Sequence, residues 1–291
     1  MLVRSLPAGP VDVVGDVHGW LEPLRLLMRQ LGYAADGSHA EGRRLVFVGD
    51  LVDRGPDSAE VARLVHALIA AGNAFAVLGN HELNLLLRRP KADNHWWFGD
   101  AARDEEIPDF FAGWPLALER ADLRVVHACW DAAAIEAVRP VADVRTAWRA
   151  GRRAVAARLR ARCGTGRIGA LERELAEQNA NPVKLLTSGP EAPSARAFKA
   201  GGKSRRTDRV RWWEAYAEPV AVVFGHYWRH RCPGDRISRQ PYLFDAAAEP
   251  QFALGPTGTA WCIDYSNGHR SVDAGAVLAA LRMPERTLHF V

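Results

Sequence analysis

Apolar runs and segments of helical period alternate through the first third of the chain. Val11 to Val14 reads as a short buried strand that ends in Gly15-Asp16. Leu21, Leu24, Leu27, Met28 and Leu31 recur at helical spacing, with Pro23 in the first turn, where proline is tolerated. Leu45 to Val48 is a second apolar run, ending in Gly49-Asp50. A helix follows from about Asp57 to Ala71, with Ala59, Ala62, Leu64, Val65 and Leu68 turned inward. Phe75 to Leu78 is a third strand, ending in Gly79-Asn80, and Glu82 to Arg88 continues as helix. This alternation predicts α/β architecture with a sheet buried on both sides.

Each of the three strands ends in a glycine followed directly by a polar residue. Glycine frees the backbone to turn there, and open α/β sheets bind ligands beyond the carboxyl ends of their strands. Asp16, Asp50 and Asn80 are therefore expected to share one site. Farther along, Arg124 to Val126 is a fourth strand, ending at His127. From about 131 to 218 the chain is rich in Ala, Arg and Glu with helical periodicity, broken near Cys163–Gly166 and around Thr187 to Gly202. Strands return at Val220 to Phe224, which ends in Gly225-His226, and at Tyr242 to Phe244 and Thr259 to Ile263. Leu278 to Met283 and Arg286 to Val291 read as a closing hairpin, with helix as the alternative for the former. The expected organisation is a single domain over 1–291 whose core is interrupted by a mostly helical insert at about 131–218.

Over 291 residues, 48% hydrophobic and 25% charged positions exclude disordered and fibrous classes. No run of ~18 uncharged apolar residues occurs to cross a membrane. The opening MLVRSLPAGP has no apolar stretch of signal-peptide length, so a cytoplasmic protein is expected. Cys129, Cys163, Cys232 and Cys262 are scattered without a CxxC pair, which argues for buried thiols rather than a disulfide framework or a structural zinc site. The net charge is only +4, yet Arg145 to Arg167 carries eight Arg and no acid, and Arg196 to Arg211 carries seven basic residues against one Asp. Those stretches are either solvated faces, partly balanced by Glu172, Glu174 and Glu177, or an attraction for an anionic substrate.

The chemistry-bearing segments are Gly15-Asp16-Val17-His18-Gly19, Gly49-Asp50-Leu51-Val52-Asp53-Arg54-Gly55-Pro56, Gly79-Asn80-His81-Glu82, His127 and Gly225-His226. They supply carboxylate, imidazole and carboxamide groups from five strand ends, a mixed O/N set that suits divalent Mn, Fe, Co or Zn rather than calcium. In order and spacing these blocks resemble the calcineurin-like metallophosphoesterase superfamily. The Asp53-Arg54-Gly55 and Gly79-Asn80-His81-Glu82 forms are most similar to its phosphoprotein-phosphatase branch, which includes bacterial phosphatases and symmetrical dinucleoside tetraphosphatases. The likeness is dense from about 11 to 88, thinner through His127 and Gly225-His226, and absent over most of 131–218. The family usually follows the histidine at His127 with Ala-Gly, whereas Ala128-Cys129-Trp130 stands here. Trp228 occupies the position where many superfamily members carry a further metal-binding histidine, which the phosphoprotein-phosphatase branch also lacks.

The resemblance implies a β-sandwich flanked by helices, with a mostly helical insert, and two divalent metal ions: manganese first, with iron, zinc, cobalt and nickel as alternatives. Asp16 and His18 would bind one ion, Asp50 would bridge both, and Asn80, His127 and His226 would complete the other. His81 would be the general acid, oriented by Asp53, with Arg54 forked onto phosphate oxygens. Glu82 either supports the His81 loop or is simply an acid in a first helical turn. The stretch Phe198 to Arg209, with Gly201-Gly202 and the basic Arg205, Arg206 and Arg209, either covers the site and binds additional phosphates or is a solvated loop. Trp212, Trp213, Tyr227 and Trp228 form either an aromatic wall for a nucleobase or packing between insert and core, and Trp96-Trp97 is open in the same way.

The function expected is hydrolysis of phosphate monoesters, in phosphoproteins or small molecules, by water activated between two metals. The alternative is a symmetrical dinucleoside tetraphosphate hydrolase. Those enzymes often lack an acid at the position of Asp53, and its presence favours the monoesterase. A third reading, a non-catalytic RNA- or partner-binding protein, sits poorly with a full set of metal ligands. The expected partner is thus a phosphorylated substrate (a phosphoprotein, nucleotide or dinucleoside polyphosphate), with no membrane, and nucleic acid only as the minor alternative.

Overall fold

The computed structural model describes residues 1–98, 106–163, 166–200, 203–231, 243–244 and 253–291. In chain order the elements are β1 (Val3–Ser5), β2 (Val11–Val14), α1 (Leu21–Leu31), β3 (Arg44–Phe47), α2 (Ser58–Ala70), β4 (Ala74–Ala76) and α3 (Asn80–Leu86). Then come α4 (His95–Phe98), α5 (Glu106–Ala112), β5 (Ala117–Glu119), β6 (Leu123–Val126), α6 (Ala132–Val138), α7 (Val144–Cys163), α8 (Ala170–Ala180) and α9 (Pro182–Ser188). The chain closes with β7 (Glu191–Ala200), β8 (Lys203–Arg209), β9 (Ala221–Phe224), β10 (Ala260–Cys262), β11 (Ala279–Met283) and β12 (Thr287–Phe290).

Two five-stranded sheets carry the core, in the orders β12-β11-β2-β3-β4 and β1-β5-β6-β9-β10. Strands β2, β3 and β4 are parallel, and β11 and β12 add antiparallel at one edge as the predicted hairpin. In the second sheet β6, β9 and β10 are parallel. The side-chain alternation of a strand explains how the sheets stack. Val13, Val46, Val125 and Val223 join one apolar cluster drawn from both sheets, while their neighbours Val14, Phe47, Val126 and Phe224 join the cluster shared with the helices. The parallel strands are apolar on both faces because both faces are covered. The fold is the helix-flanked β-sandwich expected from the resemblance.

Asp12 is an exception inside β2. It points to the helix side fully buried, where Arg43 Nε donates to it at 3.1 Å, Arg282 Nε at 2.8 Å and Tyr33 Oη at 2.8 Å. Two cations around one carboxylate satisfy a charge that burial alone would not tolerate.

Local pattern located most elements within two residues, but it missed β1 and β5, of three residues each, and the short helices α4 and α5, all too short for periodicity to register. The region 131–218 departs from expectation. It begins with the four helices α6 to α9, but β7 and β8 then form an antiparallel ribbon instead of helix or loop. Gly189 and Pro190 end α9, and the ribbon's register shifts between Pro193 and Phe198, where proline cannot donate to the ladder. Along α7, Ala147, Trp148, Val155 and Leu159 are buried while Arg149, Arg152, Arg153 and Arg158 are exposed. That is the solvated-face reading of the first Arg-rich stretch, with Arg162 and Glu172 paired across to α8 at 3.1 Å.

Of the predicted strand Tyr242 to Phe244, Tyr242 lies outside the described residues, and Leu243 and Phe244 are not extended into a sheet. Phe244 instead stacks on Trp213 at 5.2 Å. Gly201-Gly202 and Cys232 also lie outside the described residues, as do the side chains of Cys163, Phe198, Lys199, Lys203 and Ser204. Among the described residues no helix is long and apolar enough to cross a membrane.

Candidate active site

Asp16, Asp50, Asn80, His127 and His226 stand just beyond β2, β3, β4, β6 and β9, so both sheets deliver their carboxyl ends to one buried centre. The turns there are tight. His18, Asp50, Asp53, Arg54, His226 and Trp228 all have positive φ, between 48° and 73°. Left-handed backbone at non-glycine residues is costly and gathers where function demands a particular side-chain direction. Gly79 illustrates the crowding: a Cβ there would lie 2.2 Å from Asp50 Oδ1.

Asp50 is at the middle. The ligand atoms of His18, Asp50 and His81 lie within 4.8 Å of one another, and so do those of Asp50, His127 and His226. Asp50 Oδ2 is 3.3 Å from His127 Nε2 and 3.8 Å from both His18 Nε2 and His81 Nε2. Asn80 Oδ1 is 3.3 Å from His127 Nε2. The imidazoles are oriented from behind: His18 Nδ1 donates to Val52 O at 3.1 Å and His127 Nδ1 to Val48 O at 2.8 Å. Such bonds fix the tautomer and turn each Nε2 lone pair inward. Asp16 Oδ2 accepts from the His226 amide at 3.1 Å, while its buried Oδ1, like His18 Nε2, has no hydrogen-bond partner among the described residues.

The electrostatics point the same way. Burial opposes charge on Asp50, yet the facing His127, His81 and His18 hold its carboxyl well below the usual range. Burial, then Asp264 and Asp50, push Asp16 well up. Burial and Arg54 press His18 down, and burial and Arg209 press His226 down. Burial opposes charge on His127 too, but the Asp50 charge raises it. Carboxylates crowded among imidazoles, with Asp16 Oδ1 and His18 Nε2 left without a hydrogen-bond partner among the described residues, are a donor set that suits cations. The residues present therefore fit a pair of divalent ions sharing Asp50. Of the expected first pair, His18 falls in one of the two clusters around Asp50 and Asp16 in neither; His81 stands beside His18 and Asp50 but carries a proton that keeps its Nε2 from acting as a ligand.

His81 Nδ1 donates to Asp53 Oδ2 at 2.6 Å, and Asp53 Oδ1 accepts from Trp96 Nε1 at 2.6 Å. Burial opposes a charged His81, but the Asp50 charge and the Asp53 bond outweigh it and raise the imidazole to about 9. Arg54 lies over the Trp228 ring at 5.1 Å, with Nε 3.5 Å from Asp93. Arg209 reaches the site from β8, donating to His226 O at 2.8 Å and lying over the same Trp228 ring at 5.2 Å. Arg205 and Arg206 are not brought in. They are exposed on the ribbon, with no hydrogen bond or ion pair among the described residues: Arg206 is on the opposite strand face from Arg209, and Arg205, on the same face, lies four residues farther along β8 from the site.

The ambiguity over Glu82 resolves into a support role. Its carboxylate accepts from the amides of Asp50 at 2.9 Å, Leu51 at 2.8 Å, Val52 at 3.4 Å and Gly79 at 3.0 Å. It thereby ties the turn after β3 to the one after β4. Trp212, Trp213 and Tyr227 are buried in packing around Phe224, which excludes them as an open wall for a base. Two contributors escaped sequence reasoning. Asp264, buried just past β10, accepts from the amides of Trp228 at 3.0 Å and Ser266 at 2.9 Å; no glycine precedes it to flag the strand end. Trp96 was noticed as an aromatic, but its bond to Asp53 depends on α4 folding back across the site.

The class this geometry defines is a helix-flanked sandwich with candidate metal ligands at its strand ends, one carboxylate common to two clusters of them. The profile of the calcineurin-like phosphoesterases matches residues 9–228, and the chain belongs to that family, whose members use divalent metals. An asymmetrical bis(5'-nucleosyl)-tetraphosphatase from Oceanobacillus iheyensis is 46% identical over 74 residues, 24% of this chain and 30% of that protein. A symmetrical one from a Marinomonas species is 45% identical over 74 residues, 25% of this chain and 24% of that protein. The chain thus spans under a third of the length of these curated relatives. A crystal structure of a protein provisionally assigned as a diadenosine tetraphosphatase has a TM-score of 0.54 at 20% identity, covering 99% of this chain and 96% of that one. A protein serine/threonine phosphatase from Saccharomyces cerevisiae gives 0.50 at 16% identity, covering 100% of this chain and 82% of the other. Both structural likenesses establish the fold.

Proposed function

We propose that this chain hydrolyses phosphate monoesters, in phosphoproteins or small molecules, at the centre shared through Asp50. Asp16, His18, Asp50, Asn80, His127 and His226 would hold two divalent ions, with manganese the first candidate. Bound there, such ions supply charge neutralisation for the phosphoryl oxygens and activation of water. Arg54 and Arg209 face the same space with guanidinium groups, which fork onto phosphate oxygens as lysine cannot. His81 holds a proton on Nε2 for the leaving oxygen, and Asp53 fixes its tautomer from the other side.

The single observation carrying this reading is the His81–Asp53 bond. An alkoxide leaves only with a proton, whereas a nucleotide phosphate leaves readily without one, so an oriented, protonated imidazole suits a monoester. The second reading, hydrolysis of dinucleoside tetraphosphates, is favoured by the similarity to the tetraphosphatases above. One assay tests both: phosphate release from phenyl phosphate and a phosphoserine peptide, beside product analysis on diadenosine tetraphosphate, with Mn²⁺ and an Asp50→Asn control. Metal-dependent turnover of the monoesters supports the first reading. Turnover of the tetraphosphate alone replaces it with the second.

A further inference from the structure

A cavity of about 490 Å³ opens among α7, α8, α9 and the turn after α3, sharing no residue with the centre around Asp50. Arg89, Arg152, Arg173 and Lys184 bring four cations to its walls. Glu174 and Glu177 also line it, leaving two cations in excess. Glu177 is engaged with Arg152 at 3.5 Å. Lys184 and Arg173 have no ion-pair partner among the described residues. Arg89 is stacked over the Trp148 ring at 4.5 Å, which pre-orients its guanidinium, and Ile168 and Ala170 give the cavity an apolar side.

Arg89 and Lys184 are the half-buried cations of the group, while Arg152 and Arg173 are exposed. Glu191, Glu177 and Glu174 act on Lys184 from around it without forming an ion pair with it, so a phosphate still gains from the excess positive charge. Burial lowers Lys184 against the opposing pull of Glu191 and Glu177, and burial, then Arg152, lower Arg89 against Glu177. The volume is within the range of small-molecule sites and far exceeds a lone phosphate. Apolar residues beside cationic ones in one cavity fit a ligand with an anionic head and a flat or aliphatic body.

We propose that this cavity is a second, non-catalytic binding site for a nucleotide-sized organic phosphate, with the phosphate held by Lys184, Arg89 and Arg173. It stands independently of which substrate the Asp50 centre turns over. The helix α3 begins at Asn80 and His81 and ends beside Arg89, so the two sites lie at opposite ends of one short helix.

The test is titration calorimetry with ADP and, separately, orthophosphate on the metal-stripped Asp50→Asn protein, where no metal holds phosphate at the catalytic centre and the cation substitutions below tell the two sites apart. The expected result is one ADP site, with orthophosphate weaker. Lys184→Gln added to Asp50→Asn should weaken ADP about tenfold or more, the cost of one charge-assisted hydrogen bond. Arg173→Gln, at an exposed position that leaves folding intact, should weaken it in the same direction. Absence of ADP binding to Asp50→Asn, or affinity unchanged by both cation substitutions, overturns the site. Equal affinity for ADP and orthophosphate overturns the nucleotide-sized occupant.

Discussion

Nδ1 of His81 and Oδ2 of Asp53 are 2.6 Å apart, and the other oxygen of Asp53 is held by the Trp96 indole. The imidazole thus presents Nε2 towards Asp50 in one orientation. His81→Gln should lower kcat on phenyl phosphate by about a hundred- to ten-thousandfold, the span of general acid catalysis. The loss should be smaller on p-nitrophenyl phosphate, whose leaving group needs less help. Asp53→Asn should follow the same order. Steady-state kinetics on the two esters checks this, and equal losses on both would remove the acid role.

Glu82 accepts from four backbone amides, and no other side chain of the site is so heavily engaged. Glu82→Ala leaves buried donors unpaired at about 1–3 kcal/mol each, so chemical denaturation of the metal-free protein should show a loss of about 3 kcal/mol or more. Metal content should fall with it, because the Asp50 turn loses its anchor. Unchanged stability would mean that water replaces the carboxylate.

Asp50 lies between both histidine clusters, so its replacement should affect both ions where Asp16→Asn affects one. Elemental analysis should find about two divalent ions per chain in the native protein and fewer than one in Asp50→Asn. Ligand linkage gives about 2.7 kcal/mol of stabilisation at a hundredfold excess over Kd. Chelation should accordingly lower the melting temperature, and added Mn²⁺ should restore it.

His269 lies against the Trp228 ring at 4.4 Å, where burial and then the Arg54 cation press its pKa down to about 4. Its ordinary value is 6.5, so between about 4 and 6.5 the unfolded chain binds the proton more tightly. Stability should therefore rise with pH across that window through this residue and lose the dependence above it. His269→Phe keeps a ring against Trp228 but cannot titrate, and should flatten the slope. Melting curves of both proteins from pH 4 to 7 decide it.

Much of the site was legible because its residues sit where local pattern is strongest. A buried strand, a glycine and a polar residue recur at Asp16, Asp50 and Asn80, and each element is short enough to be read alone. Asp264 has the same position after β10 without the glycine, and it escaped notice. The basic stretch of the ribbon was legible as charge only. Alternation alone separates Arg206 from Arg205 and Arg209, which share a face with the buried Thr207; only where β8 ends against the site singles out Arg209.

By itself the sequence determined the strand ends, the helices between them and the set of donor groups, since each follows from periodicity and residue chemistry over a few positions. Only the tertiary structure decided that Val13 and Val223 share one core between two sheets, that Glu82 serves four amides, and that Trp96 holds Asp53. Apart from the Gly79 amide, three residues from Glu82, those contacts join residues dozens to hundreds of positions apart. Their energy comes from burial and hydrogen bonding that exist only after the chain has folded, so no local pattern carries them.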